Sequence, residues 1–439
     1  MRRIFSFVLL AAVISLAPPV LAGQAALSIA IGQPTLAADR KQTAYVKVAL
    51  TGFTLENPAE RTPVNVALVL DRSGSMQGAK LDHAKSAAKA AIERLGENDI
   101  VSIVVFDDTV NVIVPATKLT DKAAVRAAIE RIQAGGSTAL FAGVSKGAEE
   151  VRKFIDRNRV NRVILLTDGL ANVGPSSSSE LGSLGASLRK ESIAVTTLGL
   201  GLDYNEDLLV ALAGKSDGNH AFIRTPSDLT RIFNAEFGEV LTVVAQEVSV
   251  KIHCSEGIRP VRLLAHEGDI VGQDTFVQLN QLYSRQEKFV VLEVEIPATE
   301  TGKTREIATA NASYANMSTK TTDKLSSTVS AAFSNAVGAV ERDENKKVMV
   351  DAIMLVGNDN NMRATLLRDQ GRIEECRTAL LGNGSFLHDN AKRYKSKDLE
   401  ESAAWNIEST KKIEDDKDWN GSRKGMRDTQ EKIGRQRGY

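Results

Sequence analysis

The sequence predicts an α/β protein built on a doubly wound, mostly parallel sheet, and three observations predict it. Residues 64–70 form a β-branched, near-continuous apolar run of the kind that makes a strand buried on both faces. Leu81, Ala84, Ala88, Ile92 and Leu95 then recur at three- and four-residue steps, one apolar stripe of a helix that packs back onto the sheet. The alternation continues, with strand patterns over 100–106, 110–114, 162–167 and 193–198 and helical patterns over 121–132, 140–155 and 181–190. Strands alternating with helices of this length imply a twisted parallel sheet covered on both faces.

Taken in order, the chain opens with Arg2 and Arg3, an apolar run over 4–16, Pro18, Pro19 and then Val20-Leu21-Ala22. That layout reads as a secretory signal over 1–22 with cleavage after Ala22, an uncleaved anchor being the alternative, so the expected location is secreted or periplasmic in a bacterium. No later stretch is long enough to cross a membrane, so association with the envelope would be peripheral. Residues 25–31 and 43–50 alternate in two-residue steps, as do 247–252, 289–296 and 306–314. The amino-terminal β segment, 23–61, is too short to bury a core alone. It is therefore read with 241–317 as one β-sandwich into which a 62–240 unit is inserted, separate flanking modules being the alternative.

Over 318–388 helical patterns are expected, including Leu366, Ile373, Cys376 and Leu380 around a Gln-Gly-Arg turn. That stretch resembles one tetratricopeptide helix pair, but a repeat array needs several copies, so a plain helical hairpin is preferred. The segment 389–439 carries both signs of charge and the two tryptophans, Trp405 and Trp419, and turns basic past Gly421. It reads as a solvated helical tail, with a partner-binding tail as the other reading.

Composition sets bounds. The 439 residues imply two or three domains, and an apolar share of 43% supplies ordinary cores. Lys plus Arg and Asp plus Glu are equal at 55 each, which argues against a globally steered nucleic-acid binder. The five His residues are scattered, so zinc is not implied. Cys254 and Cys376 could pair in an oxidising compartment.

Three separated polar pieces carry chemistry: Asp71-Arg-Ser73-Gly-Ser75-Met after the first strand, Gly-Gly-Ser-Thr138 before a helix, and Thr-Asp168-Gly after another strand. In doubly wound sheets, ligands sit at the carboxyl ends of the strands where their order reverses, and Asp71 and Asp168 both fall at that edge. Three hydroxyls and two carboxylates are hard oxygen donors, suited to Mg2+, with Mn2+ or Ca2+ as alternates. A site dominated by hydroxyls leaves the ion electrophilic and one position open to a carboxylate from another molecule.

Asp71-x-Ser73-x-Ser75, Thr138 and Asp168, in this order on an alternating β/α chain, resemble the metal-ion-dependent adhesion site of von Willebrand factor type A domains. The resemblance covers roughly residues 62–240. It implies Ser73, Ser75 and Thr138 as direct ligands, Asp71 and Asp168 as direct or water-mediated ones, and a protein partner that donates a carboxylate. Gly74, Gly136 and Gly169 fit, because backbone crowds the ion there. It also implies that the helix beginning at Pro226, with Ile232, Phe233 and Phe237 on its buried side, shifts when the site engages its ligand.

Catalytic signatures are weighed against this. Gly143-Val-Ser145-Lys-Gly147 has the spacing of a hydrolase nucleophile, but it lies inside an amphipathic helical run rather than on a strand-to-helix turn. No phosphate-binding Gly-rich loop with Lys occurs. The serines at 176–179 read as a surface loop shaping partner choice. The expected function is non-enzymatic, metal-dependent adhesion or protein binding, with no catalytic residues. Two alternatives remain: metal-assisted hydrolysis with Asp107 or Asp108 as base, and an envelope-assembly component whose metal only stiffens loops.

Overall fold

A computed structural model describes residues 23–56, 61–279 and 281–436; the expected signal, 1–22, lies outside them. The chain begins with β1 (Ala26–Ile31), β2 (Thr35–Ala37) and β3 (Gln42–Thr51). The central unit follows: β4 (Val64–Asp71), α1 (Ala79–Arg94), β5 (Ile100–Phe106), β6 (Val110–Lys118), α2 (Lys122–Glu130) and α3 (Leu140–Arg152). It continues through β7 (Val160–Thr167), α4 (Ser178–Lys190), β8 (Ala194–Leu200), α5 (Glu206–Lys215), β9 (His220–Ile223) and α6 (Pro226–Val240).

Its sheet runs β6-β5-β4-β7-β8-β9, parallel throughout except for β6. Side chains of β4 alternate between two cores, as strand periodicity requires. Val66, Leu68 and Leu70 meet Leu81, Ala88 and Ile92 of α1 and Phe233 and Phe237 of α6. Ala67 and Val69 meet Val144 and Ala148 of α3 and Leu212 of α5. After β4 the chain turns outward to β5 and β6, then returns to β7 on the other side and proceeds to β8. The order therefore reverses between β4 and β7, which opens a crevice at their carboxyl ends. α5 and β9 were not expected from the sequence; β9 is only four residues long and gains its order from pairing with β8.

Around the central unit lies a two-sheet sandwich. After α6 come β10 (Val243–Cys254), β11 (Arg259–Leu263), β12 (Asp269–Val271), β13 (Asp274–Leu279), β14 (Leu282–Tyr283), β15 (Glu287–Ile296), β16 (Thr304–Asn316) and β17 (Thr322–Ser334). One sheet is β1-β3-β15-β11; the other is β12-β13-β10-β16-β17-β2, with β14 on β10. β3 pairs with β15 from Thr51 opposite Glu287 to Gln42 opposite Ile296, so segments before and after the central unit share one sheet. Val46, Val48, Ile252, Leu292, Tyr314 and Phe333 fill the space between the sheets.

β17 corrects the expectation of helix from residue 318 onward. Its solvent side is Lys324, Ser326, Thr328 and Ser330, and its inner side, which also holds Asp323 and Ser327, has Leu325 and Val329 as its apolar members before Ala331. Hydroxyl-rich alternation of this kind leaves little apolar signal, and the strand is specified by its hairpin with β16. The side chain of Asn316 fixes the turn by accepting from the N–H groups of Ser318 and Thr319.

The remainder is helical: α7 (Ala339–Arg342), α8 (Lys346–Asp369), α9 (Ile373–Tyr394), α10 (Lys397–Ser409) and α11 (Asp416–Gly434). α8 and α9 form the expected hairpin, turning at Gly371 with φ +76, and α10 and α11 extend it. The charged segment is not a solvated tail. Arg423 of α11 pairs with Glu206, Asp207 and Asp369, buried Lys424 reaches Glu206 and the Tyr204 carbonyl, and Asp428 accepts from Phe222 N–H at 3.1 Å along the outer edge of β9. Charge that looked solvent-directed in the sequence is thus matched by opposite charge on the central unit. Cys254 and Cys376 are both free and buried, in the sandwich and the helical core respectively. Among the described residues no helix is long and apolar enough to cross a membrane.

Candidate metal site

The site is built where β4 and β7 end side by side. Asp71, the last residue of β4, is fully buried. Its Oδ1 accepts from Ser73 N–H at 2.8 Å, the local turn that a strand-ending Asp favours, and its Oδ2 accepts from Thr167 Oγ1 at 2.6 Å. Burial pushes its pKa up to about 6 against the pull of those donors, and the nearby Asp168 charge adds to the rise.

From Ser73 the polar groups form a chain. Ser73 Oγ lies 3.1 Å from Ser75 Oγ, which donates to Asp168 Oδ1 at 2.7 Å, while Asp168 Oδ2 takes the Lys80 ammonium at 2.5 Å. Met76, buried in the core, pins the short turn that carries the two serines. Thr138 arrives from the other side. Its N–H donates to Asn172 Oδ1 at 2.8 Å, and its carbonyl accepts from Asn172 N–H at 3.2 Å. A Cβ at Gly169 would stand 3.1 Å from Thr138 Oγ1 and 3.5 Å from Ser75 Oγ, so both hydroxyls converge on the backbone beside Asp168. The structure therefore brings together all five residues singled out in the sequence.

The loops are laced independently of any ligand. Gly74 N–H donates to the Gly136 carbonyl at 3.0 Å and Gly135 N–H to that of Arg72 at 2.8 Å. Gly136 has φ +75, and a Cβ there would collide with Asp107 and Asp108, so only glycine serves.

The donor set fits a hard dication. Every inward group is a hydroxyl or a carboxylate, two acidic groups lie in a buried setting, and a single ammonium faces them. Among the described residues no three His, Cys, Asp or Glu side chains cluster.

Asp108, one of the two candidate bases, is exposed with its carboxylate beside Gly136, while the other candidates are engaged elsewhere. Ser145 sits in α3, where Gly143 and Gly147 let the helix approach Phe106 and Val69. Asp107 pairs with Arg72 at 2.8 Å and accepts from both the N–H and the hydroxyl of Thr109. Burial opposes its ionisation, but these partners outweigh it and hold its carboxyl below the usual range. Ser177 is not in a loose loop; it caps α4 reciprocally with Glu180. Lys80, Thr167 and Asn172 were missed from the sequence, because each acts through a partner distant in the chain. Only the isolated cation at the start of α1, beneath the serine turn, offered a signal.

The family model of the von Willebrand factor type A domain matches residues 65–235. Among curated proteins, the chain is 32% identical over 244 residues to the Synechocystis protein sll0103, covering 53% of this chain and 57% of that one. The chain thus spans little more than half the length of that relative. Among solved structures, it superposes on a von Willebrand factor type A protein from Catenulispora acidiphila with a TM-score of 0.65 at 17% identity, covering 85% of this chain and 88% of that one. The ArnB paralog VWA2 from Sulfolobus acidocaldarius superposes with a TM-score of 0.61 at 18% identity, covering 94% and 99%. The two structural likenesses show that the fold, flanking elements included, is shared with those proteins, and the family model lies over the doubly wound unit: residues 65–235 of this chain are a von Willebrand factor type A domain.

Proposed function

We propose that the protein binds a protein partner through Mg2+, with Mn2+ or Ca2+ as alternates, held by Asp71, Ser73, Ser75, Thr138 and Asp168, and that the partner supplies a carboxylate. Domains of this family generally mediate contact with other proteins. The observation that carries the reading is the continuous chain Ser73–Ser75–Asp168, met by Thr138 at Gly169, at the reversal of strand order. Bound there, a hard dication supplies an electrophilic position for an oxygen from outside. Thr167 and the Ser73 amide keep Asp71 oriented, and Asn172 holds the Thr138 backbone in place.

Two observations favour binding over hydrolysis: of the two candidate bases Asp107 is committed to Arg72 and Thr109 and Asp108 is turned to solvent, and Ser145 lies within a helix. A purely stiffening ion is disfavoured because the loops already hold one another through Gly74, Gly136, Gly135 and Arg72. With a signal over 1–22, the setting would be secreted or periplasmic. The test is calorimetric titration with Mg2+ and Mn2+, followed by capture of envelope proteins with and without chelator. Metal uptake lost in Asp71→Ala, and capture lost with chelator and restored by Mg2+, are expected. Capture indifferent to chelator would overturn the reading.

A further inference from the structure

Lys80 is placed against one electrostatic preference and in favour of another. It occupies the first turn of α1, where the helix dipole disfavours a cation, and its ammonium is drawn toward Asp168, which is 0% exposed while Lys80 is 26% exposed. The Asp168 carboxylate is split between two tasks. Oδ1 accepts from Ser75 Oγ at 2.7 Å and so belongs to the hydroxyl cluster; Oδ2 accepts from Lys80. The ammonium and the hydroxyls therefore take different oxygens of one carboxylate, and both contacts can persist while the hydroxyl cluster holds an ion. Arg72 and Asp107 neutralise one another nearby. Asp108, beside Gly136, is exposed to solvent; within the hydrogen-bonded cluster itself the fixed charges are two carboxylates and one ammonium, one negative charge in excess.

We propose that Lys80 is a built-in charge regulator of this site, weakening its hold on a divalent ion and keeping the ion-loaded site net positive, so that an incoming carboxylate is attracted rather than merely tolerated. This rests on the metal-dependent reading above. The charge balance gives it a signature that a simple positioning role lacks. Without Lys80, two carboxylates would neutralise a dication fully: the ion would bind more tightly, and an external carboxylate would bind more weakly. Across a few ångströms in a partly buried setting, removal of one unit charge corresponds to about a tenfold change in each affinity, of opposite sign.

The experiment uses the full chain and two variants, Lys80→Met and Lys80→Arg. Mg2+ affinity is measured by calorimetry, and acetate binding to the Mn2+-loaded protein by the loss of water-proton relaxation as acetate displaces metal-bound water. Lys80→Met should bind Mg2+ about tenfold more tightly and acetate about tenfold more weakly, its metal-free form should melt lower than wild type, and Mg2+ should raise its melting temperature by more. Lys80→Arg keeps the charge and should match wild type. Mg2+ affinity unchanged or reduced in Lys80→Met, both affinities moving in the same direction, or Lys80→Arg behaving like Lys80→Met would each overturn the proposal. Wild type that takes up no divalent ion would instead overturn the metal reading itself, and this inference with it.

Discussion

Thr167 Oγ1 donates to Asp71 Oδ2 at 2.6 Å, across the seam where the strand order reverses, and the same oxygen faces Gly169 N–H at 3.4 Å. One hydroxyl thus ties the end of β4 to the loop that carries Asp168. Thr167→Val keeps the shape and removes the donor. A buried hydrogen bond to a charged group contributes about 1.5–3 kcal/mol, so Mg2+ affinity should fall roughly tenfold or more. Thr167→Ser should restore it, as measured by calorimetry on both variants.

The pKa of Asp71 gives the metal-free protein a pH dependence of definite sign. Its folded pKa, about 6, is above the ordinary 3.8, so between those values the native state holds more protons than the unfolded one. Stability should therefore decline as pH rises from about 4 to 6 and level off above, by up to about 3 kcal/mol. Mg2+ uptake should rise over the same window, because the ion requires the carboxylate. Asp71→Asn should flatten the stability profile, melt higher without metal, and bind no Mg2+. No such relief is expected at Asp168, whose removal would strand Lys80. Melting curves from pH 4 to 8, with and without Mg2+, separate these outcomes.

Helix α3 tests the absence of a nucleophile. A Cβ at Gly147 would stand 2.5 Å from Val69 Cγ2 inside the core, so Gly147→Ala should destabilise by about 1–3 kcal/mol in chemical denaturation. Ser145→Ala, two residues away on the same helix, should leave stability within about 0.5 kcal/mol and partner capture intact. Loss of an esterase or peptidase activity in Ser145→Ala would contradict the binding reading.

The clamp between α11 and α5 should be costly to break from one side. Lys424 and Glu206 are both buried, and Lys424 also reaches the Tyr204 carbonyl. Burial opposes ionisation of Glu206, but Lys424 and Arg423 outweigh it and hold its carboxyl below the usual range. Lys424→Met should therefore cost roughly 3 kcal/mol, and more than Lys432→Met, whose side chain is half-buried in its pair with Asp428. The pair's contribution should be present at neutral pH and lost as pH falls through the depressed folded pKa. Denaturant midpoints at pH 7, and stepwise down through the acid range below the ordinary carboxyl value of 4.5, check both statements.

How far the sequence could be read depended on the range of the interactions. β4, β5, β7 and β8 were legible because strands covered on both faces are written as continuous apolar runs. Asp71, Ser73, Ser75 and Asp168 were legible because strand ends place them, and Thr138 because a Gly-Gly turn sets it just ahead of α3. β17 was not, since serine and threonine facing solvent leave only Leu325 and Val329 to mark the period. Lys80 and Thr167 stayed hidden because their partners lie 88 and 96 residues away. The helix carrying Arg423 and Lys424 was visible, but its destination was not, since charge alone does not say whether water or Glu206 will answer it.

The contact of Asp428 with Phe222 N–H spans 206 residues, and it seals the free edge of β9. During synthesis that edge emerges long before its cover, so the nascent chain must carry an open β template through the making of the whole sandwich and most of the helices. The same applies to a chain nicked after the central unit: proteolysis ahead of α11 would remove no residue of the proposed ion site, yet would leave a strand edge ready to pair with another copy. Quality control of this protein would thus hinge on α11.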